Sequence, residues 1–319
     1  MWTRSGRPTG QRSRPVPDSR RGHDRVTRRL WPILALPGTL WLIALFVVPF
    51  YAVMAVAFSS QITIFNQPIP EWNPLNWEWA TFRSVLTDSF TPSGVYHEVW
   101  VRTAIYCFWA LAICVAIGYP VAYYAARLAG KRRGLIVALI LAPWWINYIT
   151  RMLAWVNLLQ DDGYVNKVLG WFGIPPHEWL AGSSFTVVWA LAYGYLPYFI
   201  IPLFASIDRI DQRLLEASRD LGVGSVRTFF QVTLPLSRLG LITALVITAL
   251  PMAGDYYTNT IVSGSPKTNM VGNQIELFLL EGPQKNFGAG LVILLSLVLM
   301  IFMLYYLVLT QRASREATR

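Results

Sequence analysis

Few side chains in this sequence could do chemistry inside an apolar chain. Asp255 and Arg151 each stand at the seventeenth position of a long hydrophobic run. A charge at that depth faces protein or water rather than lipid, and it takes a partner. Two readings follow: a structural pair between carboxylate and guanidinium, or a carboxylate that helps form a path for cations. Tyr193, Tyr195 and Tyr198 offer aromatic faces that suit an ammonium group, or simple packing. The three histidines, His23, His97 and His177, lie far apart and outside the apolar runs, so no metal-ligand set or nucleophile–base pair emerges. Cys107 and Cys114 lie seven apart within one run and read as small buried hydrophobes. A phosphate-binding loop needs a glycine five positions before the glycine of a Gly-Lys-Ser/Thr triplet. Here Gly130-Lys131 is followed by Arg132, and Ala125 stands where the first glycine belongs. The expectation is a chain with no catalytic residues, no metal and no cofactor of its own.

The elements that hold these residues are set by composition. Of 319 residues, 54% are hydrophobic and only 14% charged. That excludes a disordered chain and an ordinary cytosolic domain. Six apolar runs are long enough to cross a bilayer: Ile33–Phe58, Val101–Ala126, Leu135–Leu159, Phe185–Ile207, Leu239–Val262 and Ala289–Thr310. Pro37, Pro49, Pro120, Pro143, Pro197, Pro202 and Pro251 fall within them, which points to bent helices around a path. The first run is too long for the apolar stretch of a secretory signal and is read as a retained helix. The fold class is therefore all-α, a polytopic membrane protein with six transmembrane helices.

Charge placement orients it. The segment 1–29 holds nine arginines, and with the links after the second and fourth runs and the C-terminal tail it accounts for 21 of the 27 basic residues. The positive-inside rule puts both termini in the cytoplasm. The net charge of +10 is thus mainly a topology signal, and no nucleic-acid partner is expected. The partition read from the sequence is a basic, disordered cytoplasmic tail over 1–29, a first transmembrane helix over 30–60, and an external loop over 61–99. A membrane domain follows over 100–310, then a second cytoplasmic tail over 311–319. Trp72, Trp77 and Trp79 in the external loop read as interfacial anchors.

The cytoplasmic link 208–235 is the most informative stretch. Ile210, Leu214, Ala217 and Leu221 share one face of a helix. Gly222 and Gly224 suit a helix stop and a sharp turn. Ser225 can cap a second short helix that Pro235 ends. Two helices with a hard corner at the membrane face can rest on lipid or dock to a partner.

Glu216-Ala217-Ser218, Gly222, then Val232-Thr233-Leu234-Pro235 resembles, at matching spacing, the signature loop of permease subunits of binding-protein-dependent ABC importers. Ser218 stands for an alanine and Val232 for an isoleucine. The likeness extends over about 100–310 and is nearest the spermidine/putrescine branch. Gly118-Tyr119-Pro120, Pro143-Trp144-Trp145 with Arg151, and Gly254-Asp255-Tyr256-Tyr257-Thr258 carry it. Asn259 and Ser263-Gly264 depart from that branch. The resemblance implies a type-1 importer transmembrane domain in the cell membrane. It implies that Glu216, Ala217, Ser218, Gly222, Leu234 and Pro235 couple to a separate ATPase dimer that binds ATP-Mg. A second permease subunit and an external solute-binding protein complete the assembly, and polyamine is the leading solute. Asp255, Arg151, Tyr195 and Tyr198 are the candidate path residues. Permeases for iron, thiosulfate or other small solutes share the architecture. A gradient-driven transporter and an intramembrane enzyme are the rival classes, and span-resident His, Glu or Ser–Lys pairs for the latter are missing.

Overall fold

The computed structural model describes residues 34–59, 61–62 and 67–317. The expected basic tail over 1–29 lies outside these residues. The chain divides into two units, 1–52 and 53–319. Helix α1, Leu34–Ala57, begins in the first and ends in the second. Beyond it, a two-residue antiparallel pairing of β1 (Gln61–Ile62) with β2 (Gln67–Pro68) leads to the short external helix α2, Trp79–Phe90.

Three long helices build the core of the second unit: α3 (His97–Leu128), α7 (Ser184–Asp208) and α9 (Ser225–Ala253). The packing face of α3 is legible residue by residue. Tyr106, Ala110, Cys114, Gly118 and Ala122 recur every four positions, and all are buried. Small residues at that spacing let two backbones come close, which is what drives helix pairing where lipid removes the hydrophobic contrast. Leu191, Phe199 and Leu203 of α7 and Met252 of α9 fill the shared core. Hydroxyl pairs join the helices: Tyr106 to Ser184 at 2.6 Å and Tyr119 to Ser237 at 2.7 Å. Each such bond is worth about 0.6 kcal/mol in a membrane bundle. The last helix, α12 (Lys285–Ala317), joins α9 through Thr243 and Tyr306 at 2.9 Å.

Two of the apolar runs are not single helices. The third divides into α4 (Arg133–Leu141) and α5 (Tyr148–Leu159), followed by α6 (Tyr164–Trp171). The segments Gly130–Trp145 and Tyr148–Trp171 meet at 88°. Pro143 cannot donate and restricts its predecessor, so the helix tightens to a 3-10 turn over Ala142–Trp145 and stops. Asn147 restarts it, accepting from the Ile149 N–H at 2.9 Å. The fifth run ends as a long helix at Ala253 and resumes as α10, Tyr257–Val262, then α11, Val271–Glu276. Asp255 therefore sits in a break between helices rather than along one.

Trp77 is a correction to the interfacial reading. Its ring stacks on Phe58, with centroids 4.8 Å apart, and its Nε1–H donates to the Glu71 carbonyl at 2.9 Å. Trp72 and Trp79 remain mostly exposed.

Candidate functional site

The break at Gly254-Asp255-Tyr256 presents a carboxylate to three helices at once. Asp255 Oδ1 accepts the Thr258 N–H at 2.9 Å, and its Oδ2 accepts the Thr258 hydroxyl at 2.6 Å. Tyr195 of α7 donates to Oδ2 at 2.9 Å, and Tyr148, the first residue of α5, donates at 3.1 Å. The Tyr148 hydroxyl also touches that of Thr258. Asp255 is 7% exposed and Arg151 is 8% exposed, yet the two form no ion pair. The expectation of a direct structural pair fails for a geometric reason. Tyr148 stands between them: its hydroxyl takes the carboxylate, and the Arg151 guanidinium lies 5.2 Å from its ring centroid. Arg151 Nε is buried without a hydrogen-bond partner. The carboxylate is thus solvated by neutral hydroxyls and one amide, with no counter-cation bonded to it.

Tyr193 does not join this cluster; its ring packs against Trp155 at 5.4 Å. Tyr198 does, at one remove, with its centroid 5.8 Å from that of Tyr195. Three residues escape sequence reasoning: Tyr148, Thr258 and Gly194. A Cβ at Gly194 would stand 2.7 Å from the Tyr148 hydroxyl, so this glycine clears the space that Tyr148 occupies. The signals were Tyr148 one turn ahead of Arg151, and Thr258 three residues after Asp255, the spacing of a side-chain helix cap.

The second assembly of expected residues is the 208–235 corner. Helix α8, Gln212–Asp220, starts where Asp211 accepts the Arg213 N–H at 2.9 Å. It stops at Gly222, whose φ of +76° is the left-handed conformation that a side chain would strain. The Val223 N–H reaches back to the Ser218 carbonyl at 3.1 Å. Ser218 and Thr228 are both buried, and their hydroxyls meet at 3.0 Å across the corner. Glu216 and Ala217 are exposed, with Gln212 donating to Glu216 at 3.1 Å. Leu214 and Leu221 of the apolar face are 50% and 83% exposed, and Val226 and Phe230 beside them are 73% and 60% exposed. Inward packing falls instead to Leu215 and Ser218.

Two expectations for this corner need correction. Gly224, not Ser225, is the residue that precedes the second helix, and no side chain caps it. Pro235 does not end that helix, which runs on to Ala253. The backbone widens to a π-turn over Phe229–Thr233, directly before Leu234-Pro235. The proline ring would otherwise strike the carbonyl four residues back, at Gln231, and the wider turn gives it room. Leu234 packs against the main core, and Pro235 is exposed.

Behind the corner, two arginines grip the end of α7. Arg127 donates to the carbonyls of Ile207 and Ile210. Arg133 makes a two-pronged contact with Asp208, at 2.6 and 2.7 Å, and its guanidinium lies 5.2 Å from the Phe204 ring centroid. Cations at the carbonyl end of a helix also oppose its dipole.

Long apolar helices, one span sharply bent and another ending at Gly254, with an exposed helical corner at Gly222, make up the second unit. Residues 118–315 match the family described as binding-protein-dependent transport system inner membrane component, and the chain belongs to that family. It is an ABC importer permease subunit and a multi-pass membrane protein. It is 33% identical over 223 residues to the spermidine/putrescine transport system permease protein PotB of Escherichia coli (strain K12), covering 69% of this chain and 79% of that one. With PotB of Haemophilus influenzae it shares 31% identity over 270 residues, 82% of this chain and 89% of the relative. The fold matches a permease chain in the crystal structure of a bacterial ABC transporter involved in the import of the acidic polysaccharide alginate. That match has a TM-score of 0.68 at 16% identity, over 92% of this chain and 99% of the other.

Proposed function

We propose that the chain forms half of a translocation path for polyamines, and that Asp255 is the carboxylate that receives an ammonium group. The observation that carries this reading is a buried carboxylate satisfied by neutral donors, with the nearby guanidinium screened by Tyr148. The relatives named for spermidine and putrescine support the solute class. The chain carries no catalytic residue in this scheme. ATP-Mg is bound and hydrolysed by a separate ATPase dimer, a related second permease completes the path, and an external binding protein delivers the solute. Both termini and the 208–235 corner lie in the cytoplasm, where Glu216, Ala217, Ser218 and Gly222 present the docking helix to the ATPase. Leu234 and Pro235 anchor its return into the membrane.

Uptake of labelled spermidine into proteoliposomes holding the full importer tests the reading. Asp255→Asn keeps an acceptor for Thr258 but removes the charge. Removing one partner of a hydrogen-bonded charge pair in a binding contact costs about 2–5 kcal/mol. We expect transport to fall by at least about 30-fold while detergent stability holds. Full uptake by a stable Asp255→Asn importer overturns the assignment.

A further inference from the structure

Asp255 can hold one ammonium group, and a polyamine carries more than one. Resting on the polyamine reading, we propose that two further ammonium subsites follow along α7, with Tyr198 taking a second ammonium group and Trp144, packed against it, a third. They orient the substrate so that its remaining charge points away from Arg151.

The ring sequence is continuous. Tyr195, bonded to Asp255, lies 5.8 Å from Tyr198, and Tyr198 meets Trp144 edge to face at 4.5 Å. Tyr195 and Tyr198 are three residues apart on one helix, so they line the same face and advance about 4.5 Å towards the Asp208 end. Trp144 comes from the 3-10 turn at the break of the third run, which brings a second backbone to the same place. Tyr195 and Trp144 are half-buried and Tyr198 is 39% exposed, so the ring cluster is not sealed within the core. Indole and phenol faces attract ammonium groups, tryptophan most strongly.

A buried guanidinium lies on the Tyr148 side of Asp255. There the Arg151 guanidinium sits against Tyr148, buried and with an orphaned Nε. Among the described residues no carboxylate is paired with it, so it repels an approaching ammonium. The repulsion and the ring lane act together: one end of the amine is held at Asp255, and the rest lies along Tyr195, Tyr198 and Trp144.

The test compares spermidine with 1,4-diaminobutane in proteoliposomes of the full importer. The longer amine reaches Trp144 with a charge that the shorter one lacks. Trp144→Leu should raise KM for spermidine about three- to tenfold, leave kcat near wild type, and change KM for the diamine much less. Trp144→Phe, which keeps a ring, should restore most of the loss. Tyr198→Leu should raise KM for both amines, with Tyr198→Phe restoring both. An unchanged ratio of the two KM values in Trp144→Leu overturns the Trp144 subsite. Equal losses for both amines that Trp144→Phe does not relieve also overturn it, because that is the signature of a packing role. Failure of the underlying reading shows separately, as a wild-type importer that takes up neither amine or an Asp255→Asn importer that takes up both; the subsites fall with it.

Discussion

Tyr148 occupies space that only a glycine opposite it leaves free. Its hydroxyl reaches Asp255 and Thr258, and a methyl group on Gly194 would stand 2.7 Å from that hydroxyl and 2.9 Å from the ring. Gly194→Ala adds no charge and favours the helix by about 1 kcal/mol, so its effect isolates the geometry of the carboxylate cluster. We expect Gly194→Ala to insert normally and to lower uptake about tenfold by displacing Tyr148, with Gly194→Ala/Tyr148→Phe no worse than Gly194→Ala alone. A transport assay on the single and double variants checks this as a cycle. The residue scale is also where sequence reading reached furthest and then stopped. Asp255, Arg151, Tyr195 and Tyr198 stood out because charges and phenols are rare within apolar runs. Tyr148 and Thr258 did not, because their role depends on two backbone breaks. Treating Leu135–Leu159 and Leu239–Val262 as straight helices puts Asp255 and Arg151 at one depth and invites a pair. The 88° turn after Pro143 and the stop at Gly254 place a tyrosine between them instead.

At the scale of elements, an ion pair joins the end of α7 to the start of α4, just before the proposed docking corner. Arg133 and Asp208 are 47% and 27% exposed, so solvent screens the pair and its share of stability is below about 1 kcal/mol. Its use is positional: it fixes the point from which α8 departs. We expect Arg133→Glu to leave thermal stability nearly unchanged while uncoupling ATP hydrolysis from uptake, and Arg133→Glu/Asp208→Arg to restore coupling at least in part. Measuring uptake per ATP hydrolysed in proteoliposomes separates this from simple misfolding. If Arg133→Glu transports with normal stoichiometry, the clamp has no part in coupling. The corner itself was legible in the sequence: a periodic apolar face, then Gly222. Its continuation was not, because proline is read as a stop, and only a π-turn lets the helix pass through Pro235. Ser218, seen in the sequence as a departure from the signature, is explained by Thr228, to which its hydroxyl bonds across the turn.

At the scale of the whole molecule, the proposed topology rests on the uneven placement of basic residues. It is checked by single cysteines placed at exposed positions in a variant lacking Cys107 and Cys114. Lys131→Cys should resist an impermeant thiol reagent in intact cells, and Ser93→Cys and Glu178→Cys should react. Reversal at two of the three positions would refute the orientation. Five helices long and apolar enough to cross a membrane, and a bent pair that makes a sixth if it is one span, follow the hydropathy runs; which runs are broken does not follow from them, since a broken span and a straight one have the same composition. The corner at Gly222 has a consequence beyond transport. Leu221, Val226 and Phe230 are left bare on the surface of the chain. A newly made copy that finds no ATPase displays them as an unfolded segment would, and such patches are what quality-control proteases and chaperones bind. If the corner docks as proposed, copies made without the ATPase turn over faster than assembled ones, which a pulse–chase with and without the partner measures.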